Sequence, residues 1–228
     1  MSKTFLLSVA LLTLSACATE TLKHHNTKVS NGLNIIDRPI DFGATRIALT
    51  KAYIKTHYGK SVNSIKIVPK IIVLHWTADM HLDTSFRIMK SEKLHSNRKD
   101  IVKASALNVS TQFLVARNGQ VYRLMPENWM ARHVIGLNYT SIGVENVGDP
   151  KHGLTHAQEK ANIALVKYLK NKYPTIQYLI GHHEYRQLEH TSLWLEKDKG
   201  YRTTKIDPGE KFMSVVRSGL KALKLKQP

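Results

Sequence analysis

The sequence predicts a single α/β domain with a central mixed β-sheet flanked by helices, and three stretches carry that prediction. "SIKIVPKIIVLHW" contains a continuous apolar run, Ile71 to Leu74, the pattern of a strand buried on both faces and ending at His75. "STQFLVARNGQVYRLM" reads as a hairpin, with strands Phe113 to Ala116 and Val121 to Leu124 around the turn residues Asn118 and Gly119. "LTHAQEKANIALVKYLKNKYP" opens with Thr155 and Gln158 at capping-box spacing and keeps apolar residues on one helical face until Pro174 stops it. Strands and helices alternate, as a sheet with covering helices requires.

The remaining elements follow in chain order. Residues 18–30, "ATETLKHHNTKVS", are polar and aperiodic and suit a tether, in which His24 and His25 read as solvated residues rather than metal ligands. Residues 35–63 show a mixed pattern and read as a variable lead-in, so the domain is expected to span 64–222, with 223–228 as a tail. "SIGVENVG" reads as a short central strand carrying Glu145 in an apolar setting, and "IQYLIGHH" as a strand that delivers His182 and His183 at its end. "GEKFMSVVRSGLKALK" reads as a closing helix with Phe212, Val215 or Val216, Leu220 and Leu223 on one face. His81 and His95, in the stretch from Asp79 to Val102, read as surface residues.

A formal charge of +17 over 228 residues favours an acidic partner: nucleic acid, an anionic lipid surface or a carboxylate-rich cell-wall polymer. The lysines are scattered and no zinc-finger or RNA-binding signature is present, so nucleic acid is not expected as a partner. "MSKTFLLSVALLTLSAC" has a basic start, an apolar run from Phe5 to Leu14 and small residues before Cys17, which is a secretion signal. It is too short for a spanning helix, which needs about 20 apolar residues. "LSAC" resembles the bacterial lipobox, whose cysteine carries the lipid of the mature protein. Residues 1–16 are then a lipoprotein signal peptide and 17–34 a lipidated Cys17 with its tether. The chain's only cysteine is thereby used, leaving no disulfide, and Ala18 after it leans toward the outer membrane, facing the periplasm.

Chemistry-bearing residues gather at predicted strand ends: His75, the pair His182 and His183, and Asp207 in "YRTTKIDPGE". Two imidazoles and a carboxylate with a fourth position open form a known catalytic zinc set. Pro208 biases Asp207 toward an extended shape, so Lys205 and Asp207 are expected on one side of the chain. Read alone, that pair is an exposed ion pair beside a turn. Glu145 is a carboxylate on an apolar strand, a costly placement unless paired or functional.

Taken in order, "IIVLHWTA", "GQVYRL", "ARHVIGLNYTSIGVE", "LTHAQ", "IGHHEY" and "KIDPG" resemble the zinc-dependent N-acetylmuramoyl-L-alanine amidases of type 2, to which the peptidoglycan recognition proteins are similar. The resemblance implies a zinc hydrolase that cuts the amide between N-acetylmuramic acid and L-alanine in peptidoglycan or muropeptides. It implies His75, His182 and Asp207 as ligands of one Zn2+, with His182 preferred over His183 because the ligand directly follows glycine. It implies Glu145 as general base and Lys205 as the cation that stabilises the developing oxyanion. His133 and Asn138 fall on positions near bound substrate, and Arg132 is a candidate partner for a stem-peptide carboxylate. Gln112 departs from the pattern, standing where many relatives have histidine. The stretch from His182 to Asp207 is longer than in compact relatives; it reads as surface decoration, with Trp194 over the groove as the alternative. Trp76 and Trp129 read as core rather than as stacking platforms. The rival to hydrolysis is a protein that docks peptidoglycan without cutting it.

Overall fold

The computed structural model describes residues 26–28, 32–95 and 101–228. The secretion signal, Cys17 and the histidines at 24 and 25 lie outside the described residues. Among the described residues seven strands form one mixed sheet in the order β1-β2-β5-β4-β6-β3-β7. They are β1 (Asn26–Lys28), β2 (Asn34–Asp37), β3 (Ile71–Trp76), β4 (Phe113–Val115), β5 (Val121–Arg123), β6 (Ser141–Asn146) and β7 (Tyr178–Gly181). The predicted α/β architecture is therefore the observed one. Strands β4, β6, β3 and β7 run parallel, and their apolar continuity reflects burial on both faces.

Among the described residues four α-helices accompany the sheet: α1 (Ala44–Tyr58), α2 (Leu82–Lys90), α3 (His156–Lys172) and α4 (Glu210–Ser218). The capping box of α3 forms as its sequence requires: the Thr155 side chain accepts from the Gln158 N–H, and Gln158 Oε1 accepts from the Thr155 N–H at 3.0 Å. The apolar face of α3 and the face of α4 carrying Phe212, Met213 and Val216 pack in one cluster with Ile72, Leu74, Ile142 and Val144. By strand alternation, Ile71, Val73 and His75 face the other way, and a second cluster of Val134, Ile135, Tyr185 and Leu193 packs on Ile71 and Val73. The closing helix ends at Ser218, shorter than expected: Gly219 caps it, the backbone leaves helical values at Leu220, and Lys221–Leu223 form a separate 3-10 turn.

The lead-in is part of the fold. Strand β2 pairs parallel with β5, and Ile35 is fully buried. Helix α1 buries Tyr53, Ile54 and Tyr58 in a cluster with Ile65, Ile67, Leu107 and Met130. Arg46 of α1 closes the end of α2 by donating to the carbonyls of Met89, Lys90 and Ser91. No helix among the described residues is long and apolar enough to cross a membrane.

Candidate metal centre

The site is assembled at the C-terminal ends of the parallel strands, where open α/β sheets present their ligand crevices. His75 is the penultimate residue of β3, and Glu145 lies beside it in register on β6. His182 follows β7 directly as the first residue of the 3-10 helix His182–Leu188. Asp207 comes from the extended segment before α4, and Ile206 between Lys205 and Asp207 points out to solvent with 62% exposure. That alternation puts Lys205 and Asp207 on the same wall of a cavity of about 270 Å³ shared with His75, Glu145 and His182.

Three ligand atoms converge. Nδ1 of His75 lies 3.0 Å from Nδ1 of His182 and 3.2 Å from Oδ2 of Asp207, and His182 Nδ1 lies 3.1 Å from the same Oδ2. All three residues are buried. Burial pushes His182 down to about 4, helped by neighbouring His75, so its ring is neutral at pH 7. Burial alone would raise Asp207, but its hydrogen bonds with His182 and His75 outweigh that and hold the carboxylate well below its usual range. Two imidazole nitrogens and an ionised carboxylate oxygen aimed at one point are a donor set for a divalent cation with nitrogen and oxygen preference, and zinc fits it. Among the described residues this is the one such cluster.

Glu145 carries the other signature of a reactive site. Its Oε2 is buried with no hydrogen-bonding partner. Burial raises its pKa well above the usual carboxylate value, the Asp207 charge adds to that, and Lys205 opposes it. A carboxyl tuned upward in this way is suited to taking and returning a proton near neutral pH.

The two adjacent histidines part company, though not as in an extended strand, because the chain turns helical at His182. The His183 backbone N–H donates to the Asp207 carbonyl at 2.9 Å, and its Nδ1 lies 2.9 Å from the same oxygen, so His183 holds the backbone of the aspartate. His81 and His95 are exposed, as expected.

Arg132 is placed differently from its expected role. It borders the cavity, but its guanidinium donates to the carbonyls of Ser105, Leu107 and Ile101 and to the Tyr201 hydroxyl, and the residue is 3% exposed. It ties loops together rather than offering a free fork to a carboxylate. Asn138 is buried as well: its Oδ1 accepts from the N–H groups of His133 and Val134 at 2.9 and 2.8 Å, clamping the loop that carries His133. His133 lies within 3.0 Å of His75. Gln112 bridges backbone groups, accepting from Gly143 N–H at 2.7 Å and donating to the Trp129 carbonyl at 2.6 Å. Trp76 lines the cavity, while Trp129 packs edge-on against Phe42 in a core cluster.

Sequence reasoning missed several residues of the site's wall. Ser85, Ile88 and Met89 of α2 line the cavity, and nothing in their helical spacing distinguished them from packing residues. The 183–204 stretch is anchored rather than decorative. Trp194 stacks on Tyr185, receives Arg202 at 4.6 Å over its ring, and fills the space that a side chain at Gly136 would occupy.

Fold and cluster together define a class: an α/β domain with two histidines and an aspartate converging at the open strand ends, beside a carboxyl with one buried, unpartnered oxygen. The chain belongs to the N-acetylmuramoyl-L-alanine amidase family, whose pattern matches residues 65–210. Among solved structures it is similar to the N-acetylmuramoyl-L-alanine amidase LysC from Clostridium intestinale URNW, at 26% identity and a TM-score of 0.50, over 72% of this chain and 90% of that one. It is also similar to the E. coli N-acetylmuramyl-L-alanine amidase AmiD, determined with an anhydro-N-acetylmuramic acid peptide substrate (22% identity, TM-score 0.46, 70% of this chain and 61% of that one). A third is PGRP-SA of Apis mellifera (18% identity, TM-score 0.41, 59% and 93%). No curated protein matches the chain.

Proposed function

We propose that the chain is a zinc-dependent hydrolase that cleaves the amide between N-acetylmuramic acid and L-alanine of peptidoglycan or muropeptides, in cell-wall turnover or remodelling. The observation that carries the proposal is the convergence of His75 Nδ1, His182 Nδ1 and Asp207 Oδ2 at 3.0–3.2 Å from one another, a separation that suits three ligands of one ion. Bound there, zinc would supply Lewis acidity and bring a water's pKa toward about 7. The protein's own part is proton handling and charge. Glu145, in register with His75 and carrying a free buried oxygen, takes the proton of the attacking water and returns it to the leaving amine. Lys205, on the same wall, places a cation where the carbonyl oxygen gains charge. His183 keeps Asp207 in place from behind.

Docking without cleavage would not call for a carboxyl with a buried, unpartnered oxygen beside the ligand cluster, and that residue favours hydrolysis over the binding-only reading. The N-terminal sequence supports secretion and lipidation at Cys17, which would tether the enzyme to the outer membrane facing the periplasm. Purified protein incubated with muropeptides, with and without a chelator, tests the proposal. Release of stem peptide that stops on chelation and returns with zinc is expected; binding to sacculi with no metal-dependent release would favour the docking role.

A further inference from the structure

We infer that His133 is a positioning residue for His75, the far partner of a metal ligand rather than a contact for substrate, and that Ser141 and Gly143 are its seat. The inference rests on the zinc reading above and concerns how the first ligand is held.

The geometry fixes the direction of every proton. His75 points Nδ1 at the ligand cluster, so its other nitrogen, Nε2, is the one that carries hydrogen. That Nε2 lies 3.0 Å from Nδ1 of His133, which must accept. His133 then carries its own hydrogen on Nε2, 3.3 Å from the Ser141 hydroxyl, and Ser141 donates onward to the Leu137 carbonyl at 2.8 Å. Each donor in the line meets one acceptor, and the line ends on a backbone oxygen. A metal-bound histidine whose second N–H is engaged is fixed in tautomer and ring orientation, and such partners typically change metal affinity 10- to 100-fold.

The sheet is built to admit this ring. Ser141, Gly143 and Glu145 alternate on one face of β6, in register with Ile71, Val73 and His75 of β3. At the middle position a Cβ would come within 2.8 Å of the His133 ring, so glycine leaves the space in which the imidazole lies beside His75. From the other side Asn138 holds the His133 backbone through its N–H. "SIGVE" therefore encodes two things on one face, the proton-handling carboxyl and the seat of a second histidine.

The test is the zinc dissociation constant measured without substrate, for wild type, His133→Phe, Ser141→Ala and His133→Gln, with folding checked by circular dichroism. Phenylalanine keeps the ring's bulk but removes the acceptor; zinc affinity is expected to fall about 10- to 100-fold. Ser141→Ala, a small change that leaves the ring in place, is expected to give a loss of a few-fold. His133→Gln retains an acceptor and is expected to recover part of the affinity. Nitrogen-15 shifts of the zinc-loaded protein should show His133 protonated at Nε2 and bare at Nδ1. Wild-type zinc affinity in both His133→Phe and Ser141→Ala, with only KM altered, would overturn the inference and leave the zinc reading standing. A wild-type protein that binds no zinc would overturn both.

Discussion

In the cleft, Nδ1 of His75, Nδ1 of His182 and Oδ2 of Asp207 face one another; where α1 meets the 183–204 stretch, His57 lies between Glu196 and the Ala104 carbonyl. Both are buried assemblies of histidine and carboxylate. At the junction, Nδ1 of His57 is 3.0 Å from both Glu196 oxygens and Nε2 is 3.0 Å from Ala104 O, so each nitrogen has an acceptor to donate to. Burial by itself pulls the His57 pKa down, but the hydrogen bonds to Glu196 and Ala104 outweigh it, and the value ends above the ordinary one. The cleft does the reverse: there burial, with His75 beside it, outweighs the pull of Asp207 and carries His182 down to about 4. The same residue types make a lock when each ring nitrogen has its own acceptor and a cation site when three ligand atoms converge on one point.

Removing a ligand should have the largest effect and separate the two regions most cleanly. Asp207→Ala is expected to abolish zinc binding and muropeptide cleavage while the His57 junction keeps the fold, as metal analysis and circular dichroism would show. Next in size, Lys205→Met should lower kcat by about 10²–10³-fold, the usual effect of losing one oxyanion donor, with zinc content unchanged. If zinc is lost as well, Lys205 acts on the ligands and not on the reaction. Breaking the lock should give the opposite pattern. Glu196→Ala leaves a histidine that is almost fully enclosed without its carboxylate partner and should cost about 3–5 kcal/mol of stability in chemical denaturation, with zinc content intact.

The smallest effect is in pH dependence, where the two histidines differ in sign. His57 has a folded pKa above its unfolded one, so its contribution is fully present below the unfolded pKa of about 6.5 and fades as pH rises through the folded value. His182 has a folded pKa near 4, below its unfolded value, so in metal-free protein it takes stability away as pH falls from about 6.5 toward 4. His57→Phe should remove the first component, and its stability profile relative to wild type should then worsen more on the acid side than on the alkaline side.

The cleft was legible because its residues stand in short motifs, two at strand ends and one before a proline. His75 closes an apolar run, His182 follows a glycine, and Asp207 precedes a proline, so local pattern and resemblance agreed on them. The junction was not legible, since His57 sits in a lead-in helix of weak amphipathic pattern and Glu196 lies 139 residues away in a stretch without regular elements. Arg132 and Asn138 show a second limit. Their types suggested recognition, yet both satisfy buried backbone groups, a demand visible only once the loops around them are in place. The role of Gly143 was hidden for a related reason: a glycine in a strand marks a close approach but does not name what approaches.

The division of labour within the cleft is the central claim, and it is tested most directly by measuring zinc content and stem-peptide release on the same preparations of wild type, Glu145→Ala and His75→Ala. The account predicts one zinc per chain and cleavage for wild type, one zinc and no cleavage for Glu145→Ala, and neither for His75→Ala. Loss of zinc from Glu145→Ala, or cleavage by His75→Ala without metal, would contradict it.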